Sequence, residues 1–435
     1  MLKRPFIGLT KPWIRYTALP KPDQIRQIAL PQQATLFFDT PFVHTGAVHL
    51  KPGDQVKTGQ WLELVDDPGG NRASTVAGAI SAVTDFQGDF GRSFTAVTID
   101  VDTDDPVDDA FAAAAESPDL ETARRYLSHI PGLPPLGELA DPEVPIHTVV
   151  VLGVDQDLLV GTQQYVMQTE FNALQKGIGA LRQLTDIERV VLVVLRDSVQ
   201  NFGHIDAEVM AVDQQYPAAA PELVVRNVLG IDLPAGKPWQ DEGISFFSAE
   251  AVASLGKAYT SAAVPTMKTL TLIDKQGTCR LVSARLGTAV GNVLKAFGIT
   301  LNEKDRLVLG GPMRGKAIYT PRYPVQADTD AIMVQDAADI PYTTDYPCIN
   351  CGECIPVCPA NISVNMLVRL LEAGQYQDAV DLYDLLSCLD CGLCSAVCVS
   401  KIPILQYIQL GKYELKRLSS EVQEEEEEET KETDE

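Results

Sequence analysis

The sequence has no apolar run approaching the roughly 18 residues that a membrane-crossing helix needs. Its densest apolar stretch is the short one from Val190 to Leu195, so the chain is not expected to span a bilayer by itself. A secretory signal is not expected either, since MLKRPFIGLTKPW carries charge but no apolar core follows it. Positive charge is scarce, with 35 Lys and Arg against 59 Asp and Glu and a net charge of −24. Such a surface repels phosphate backbones and argues against nucleic acid as a partner. Ten acids and one lysine fall in the last fifteen residues, EVQEEEEEETKETDE, a run of like charge expected to be solvated and disordered. Cysteine is sparse too. Nine among 435 residues are too few and too clustered for a disulfide scaffold.

Where the cysteines fall is more informative than their number. Eight lie within 51 residues, in two runs of one pattern. Cys348, Cys351, Cys354 and Cys358 form the first, followed by Pro359; Cys388, Cys391, Cys394 and Cys398 form the second, followed by Val399. Both read C-x2-C-x2-C-x3-C, the spacing of bacterial-type ferredoxins that hold two [4Fe–4S] clusters. Three thiolates at intervals of three reach three irons of one cube, and Gly352 and Gly392 stand where the backbone must turn tightly beside it. The fourth cysteine, displaced by one residue, completes the other cluster. One set is therefore Cys348, Cys351, Cys354 and Cys398, and the other Cys388, Cys391, Cys394 and Cys358. Val399 in place of proline predicts an altered exit from the second run with unaltered ligation. Structural zinc would use thiolates in pairs and suits this spacing poorly. Cys279, alone beside Arg280, reads as a buried apolar residue. Asp390 and Glu353, inside the loops, would lower cluster potentials.

Between the runs, Leu367, Leu370, Leu371, then Val380, Tyr383 and Leu386, recur at helical spacing, broken by Gly374. After the second run, ILQYIQLGKYELKRL reads as an amphipathic helix whose Lys412, Lys416 and Arg417 are expected to form a solvated face, with contact to anionic lipid or a partner as the alternative. Upstream, LKPGDQVKTGQWLELV and ASTVAGAISAV alternate with turns at Pro52-Gly53-Asp54, Gly59-Gln60 and Gly78, the cadence of a barrel-sandwich module. The hairpin tip from Asp66 to Asn71 lacks the lysine of a swinging-arm carrier. HTVVVLG and ERVVLVVL, separated by a helical stretch at 170–184, predict a right-handed parallel crossover. KGIGALRQL has Gly177 and Gly179 but Arg182 in place of a third glycine, so no dinucleotide loop is supported. The stretch 268–334, with SARLGTAVGNVLKAFG and LGGPMRGKAI, suggests a β-grasp unit with a tight turn at Gly310 and Gly311.

The expected layout is multidomain α/β and α+β. It comprises an N-terminal extension (1–35), a lipoyl-like barrel-sandwich module (36–103) and an acidic, proline-rich linker (104–145). A Rossmann-like α/β domain (146–265), a soluble-ligand-binding (SLBB) β-grasp (266–336), a helical two-cluster ferredoxin domain (340–418) and a disordered tail (419–435) follow.

PCINCGECIPVCPANI, CLDCGLCSAVCVSKIPILQYIQLGK, LGGPMRGKAI, YPAAAPELVVRNVLGIDLPAG and KPGDQVKTGQ together resemble the RnfC component of the Rnf electron-transport complex, with NqrA a more distant relative. The resemblance covers about residues 36–415. It implies a peripheral member of a membrane complex that couples electron flow between NADH and ferredoxin to ion transport, on the cytoplasmic face of the inner membrane. Free thiols and oxygen-sensitive clusters fit the cytoplasm. The family's glycine-rich flavin loop, GxGGAGFPT, is replaced here by PGLPPLGELADPEVP, and its acidic motif by LGVDQDLLVG, where only Asp155 is a partial counterpart. Proline lacks the N–H of an anion cradle, which argues against FMN and NADH in this chain. Three readings stay open: an iron–sulfur relay to a membrane-bound ion-translocating or quinone-linked complex, an FMN-containing NADH-oxidising subunit, and a non-redox scaffold.

Overall fold

In the computed structural model, residues 14–16, 25–40, 48–65, 70–88, 92–201, 205–344 and 346–433 are described. Two compact units result, one of Arg15–Ile231 with Pro238–Ile340, the other built on Pro341–Glu435 and Asp232–Lys237.

The larger unit holds three main sheets. Gln33–Phe38, Ser93–Val101, Gly78–Gln87 and Gln55–Val56 pair antiparallel around Leu36, Val97 and Ile99, all buried. Trp61–Leu62 and Arg72–Ala73 form a separate ladder beside them; residues 66–69, most of the hairpin tip, lie outside the described residues. The second sheet is wholly parallel, in the order Glu208–Val212, Arg189–Leu195, Thr148–Leu152 and Ile244–Ser248. Every residue of Thr148–Leu152 is buried, as a parallel strand covered on both faces requires. Helices Phe171–Leu184 and Ala249–Ser261 pack against each other at backbone contact. A Cβ at Gly177 would meet the Val252 carbonyl at 1.8 Å, and one at Gly256 the Ala173 carbonyl at 2.0 Å. Gly177 thus serves helix crossing. The third sheet is six-stranded and mixed, its edge formed by Arg26–Gln27 alongside Cys279–Arg285. Helix Val290–Ala296 covers it with Val290, Val293 and Leu294.

An ion network centred on the fully buried Lys268 lies within this unit, with Glu250 buried and Asp330 about a third exposed. Lys268 Nζ donates to Glu250 and, at 2.8 Å, to Asp330. Burial opposes its charge, but Asp330 and Glu250 outweigh burial and raise its pKa. Removing one partner of such a buried pair is far costlier than removing both.

Several expectations need correction. Residues 104–145 are no linker: helices Ala110–Ala115 and Leu120–Leu127 put Phe111, Ala123 and Leu127 into the same core as Val149 and Val151. Ala123 and Leu127 stand one helical turn apart, and Asp119 caps their helix by accepting from the Thr122 N–H. The surrounding acids and prolines mask that short pattern. The acidic C-terminal run is not a break in structure, because one helix continues from Ile404 to Thr433; glutamate is a good helix former, and no glycine or proline interrupts the run. Cys279 is half-buried at a strand start rather than buried.

Candidate metal centre

The smaller unit is helical. Val364–Glu372, Tyr376–Tyr383, Leu393–Val397 and Ile404–Thr433 surround Leu367, Ala379, Leu385 and Ile408, all fully buried. The paired helices expected between the cysteine runs are there, though Leu386 is exposed.

The two runs share one backbone course. Asn350 (φ 56°) and Gly352 (φ 77°) flank Cys351, and Asp390 (φ 51°) and Gly392 (φ 72°) flank Cys391. Left-handed residues on both sides of the middle cysteine curl the loop inward, and glycine, asparagine and aspartate bear that conformation best. Three residues beyond each fourth cysteine, Asn361 (φ 57°) and Lys401 (φ 58°) repeat the pattern. Asn361 N–H donates to the Cys358 carbonyl and Lys401 N–H to that of Cys398, both at 3.2 Å. The second exit is therefore not altered by Val399. The following turn closes it as in the first run, with Ile404 N–H on Ile402 and Val364 N–H on Ile362, both at 2.9 Å.

The loops bring the thiols together in two groups of four. Cys348, Cys351, Cys354 and Cys398 line one concavity, together with Ile349, Glu353, Asn365, Val368 and Ile402. Burial pushes the Cys354 thiol up to about 11, and Cys348, Cys351 and Cys398 add to the rise. In the second group, burial pushes Cys394 well above the usual thiol range, and Cys388, Cys391 and Cys358 contribute. Cys388 is pushed up to about 12, first by burial and then by Asp390, while Lys412 opposes the shift. Packed buried thiols resist ionising beside one another, so a metal centre that takes them as thiolates releases protons on binding.

Each group is an all-sulfur donor set, suited to soft thiolate chemistry. Among the described residues no group of three or more His, Cys, Asp or Glu is arranged for a single metal ion. A four-iron cube is gripped by each thiolate at a different iron, so its ligands need not converge on one point. The donor type, the number per group and the inward-curled loops fit such a cube.

Three residues that organise the loops do not stand out for that role in the sequence. Thr344 donates from its N–H to Lys401 and from its hydroxyl to Ser400, tying the second exit to the segment entering the first run. Asn365 donates to Asn350 at 2.7 Å. Lys412 is no solvated charge: it donates to the Cys388 carbonyl at 2.8 Å and to Asp390 at 2.9 Å. A signal existed, since Lys412 follows buried Ile404 and Ile408 at intervals of four on one helix face.

Other sequence candidates lie in the larger unit. Asp155 is fully buried and accepts from the Gln163 and Gln164 N–H groups at the start of helix Thr162–Thr169. Asp157 accepts from the N–H groups of Leu158, Met313 and Arg314, the last two in the turn after Gly310 and Gly311. Within PGLPPLGELADPEVP, the N–H groups of Gly132, Leu133, Leu136, Glu138 and Ala140 all donate to carbonyls.

A family model described as a 4Fe-4S dicluster domain matches residues 347–402. The RnfC component of the ion-translocating oxidoreductase complex of Rhodobacter capsulatus is 28% identical over 284 residues, covering 63% of this chain and 54% of that protein. The protein of the same name from Pseudomonas aeruginosa is 28% identical over 66% of this chain and 38% of its own length. The one from Pectobacterium carotovorum is 24% identical over 92% and 56%. The chain spans about half the length of the curated relatives it matches. Among solved structures, an NAD+-reducing [NiFe]-hydrogenase in the H2-reduced state aligns loosely, with a TM-score of 0.43 at 11% identity over 71% of this chain and 65% of that one. The mixed α/β chain thus carries a C-terminal 4Fe-4S dicluster domain and is similar, over much of its length, to the RnfC components of ion-translocating oxidoreductase complexes.

Proposed function

We propose that this chain is the iron–sulfur electron-transfer subunit of an Rnf-like membrane complex, holding two [4Fe–4S] clusters. Cys348, Cys351, Cys354 and Cys398 would hold one, and Cys388, Cys391, Cys394 and Cys358 the other. The observation that carries this reading is the assembly of two separate four-thiol groups, each drawing its fourth member from the other run. Such clusters supply one-electron transfer. The chain's own residues fix the loops, bury the thiols and set the charge around them. The exposed Cys351, beside exposed Ile349, makes the first centre the one more open to a partner.

The upstream sheets fit a supporting role, with a barrel-sandwich module near 36–103, a Rossmann-like domain near 146–265 and an SLBB β-grasp near 266–336. Membrane attachment would come from other members of the complex on the cytoplasmic face of the inner membrane; among the described residues no helix is long and apolar enough to cross a membrane. Against a flavin phosphate, at the places where the family's loop and acidic motif would stand, the backbone donors named above are already taken by Asp155, Asp157 and backbone carbonyls. We therefore favour the relay over the NADH-oxidising flavoprotein.

Anaerobic reconstitution of the full chain tests this reading. The expected result is about eight irons and eight sulfides per chain, bleached by dithionite but not by NADH, with no flavin retained. Uptake of flavin with bleaching by NADH would establish the flavoprotein instead, and no iron uptake would leave the scaffold.

A further inference from the structure

Among the matched places at which the two thiol loops differ is the left-handed residue before the middle cysteine, Asn350 in one and Asp390 in the other. In the first, Asn350 accepts from the neutral Asn365 amide. In the second, Asp390 accepts from Lys412, whose ammonium also holds the Cys388 carbonyl. The second pair is largely sheltered, with side chains 25% and 30% exposed, and Asp390 Oδ1 is buried without a hydrogen-bond partner. One ammonium therefore touches both the backbone of a thiol-bearing residue and the only acid in that loop.

Resting on the two-cluster reading, we propose that Lys412 is a positioning residue that makes the two centres electronically unequal. It pins the Cys388–Asp390 segment to the last helix and neutralises Asp390, whereas the matched residue of the first loop is the neutral Asn350. A reduced centre carries one more negative charge, so a nearby cation favours reduction and an uncompensated carboxylate opposes it. Lys412→Gln leaves the carboxylate alone and lowers the potential of the second centre. Asp390→Asn leaves the ammonium alone and raises it. The double variant falls between the two, and Lys412→Arg keeps the charge. Asn350→Asp adds a carboxylate at the matched place of the first loop, beside the neutral Asn365 amide, and lowers the first potential only.

The test is an EPR-monitored redox titration of the reconstituted full chain, with iron content measured on every sample. Signals are assigned to sites with Cys354→Ser and Cys394→Ser. The expected result is opposite shifts for Lys412→Gln and Asp390→Asn, each about tenfold in the reduction equilibrium (about 59 mV for one electron), confined to the second centre and absent in Lys412→Arg. Should Lys412→Gln fail to hold its cluster, Asp390→Asn and Asn350→Asp carry the charge test by themselves. Equal potentials in wild type and both second-loop variants, at full iron content, overturn the inference while sparing the cluster reading. A wild-type chain that takes up no iron overturns both.

Discussion

The first and second thiol loops follow the same backbone path, with the same left-handed residues at the same places, yet they sit in different surroundings. Cys351 is exposed, whereas its counterpart Cys391 is buried. The first loop is braced by an amide–amide bond, the second by an ion pair anchored on a long helix. Spacing and glycine placement decide how a loop curls. What packs on it decides how a bound centre would behave, because potential follows charge, hydrogen bonding and exposure. A duplicated motif thus need not yield two equivalent centres.

The largest effect that would sharpen this contrast is loss of a whole centre. Cys354→Ser should abolish the first and Cys394→Ser the second, each removing about four irons per chain. In the intact protein, a chelator should strip the first centre before the second, because Cys351 is exposed. Equal stripping rates would show that exposure does not separate them.

The next contrast sets two lysines against each other. Lys268 is fully buried and paired with buried Glu250, with half-buried Asp330 as its second partner, so Lys268→Met, which strands Glu250, should destabilise the larger unit by about 3–5 kcal/mol. The partly exposed pair of Lys412 should be worth only about 0–1 kcal/mol to folding. Urea unfolding of both variants checks this, and a large loss for Lys412→Gln would make its role structural instead.

Proton coupling gives a smaller and graded effect. Cys354, Cys388 and Cys394 are held protonated by burial, and thiolates are what iron binds. Acidification should therefore weaken iron–sulfide uptake, with proton release on loading measurable in weak buffer. A second pH effect is that of Asp155, pushed up to about 7 by burial, with the Gln163 N–H opposing. Its folded pKa lies above the unfolded one, so the folded state binds more protons between about pH 4 and pH 7. Stability of the larger unit should fall as pH rises through that window, and Asp155→Asn should flatten the slope. An unchanged slope in the variant would assign the pH dependence to other groups.

Much of this is legible in the sequence. The cysteine spacing announces both thiol groups and their crossing, since it encodes a local curl with one displaced member. The crossover between Thr148–Leu152 and Arg189–Leu195 is legible because buried parallel strands read as unbroken apolar runs. The packing of 104–145 is not. Its apolar residues are few and spread over two short helices, and only the tertiary core reveals where they go. Lys412 escapes a sequence reading because a lysine on a helix is usually solvated. Its burial depends on a loop 24 residues away in sequence.

The claim on which everything turns is that each centre draws its last thiol from the other run. Iron content and EPR of Cys358→Ser and Cys398→Ser decide it. Cys358→Ser should lose the signal that Cys394→Ser loses, and Cys398→Ser the one that Cys354→Ser loses. The reverse assignment, each fourth cysteine serving its own run, would contradict the account.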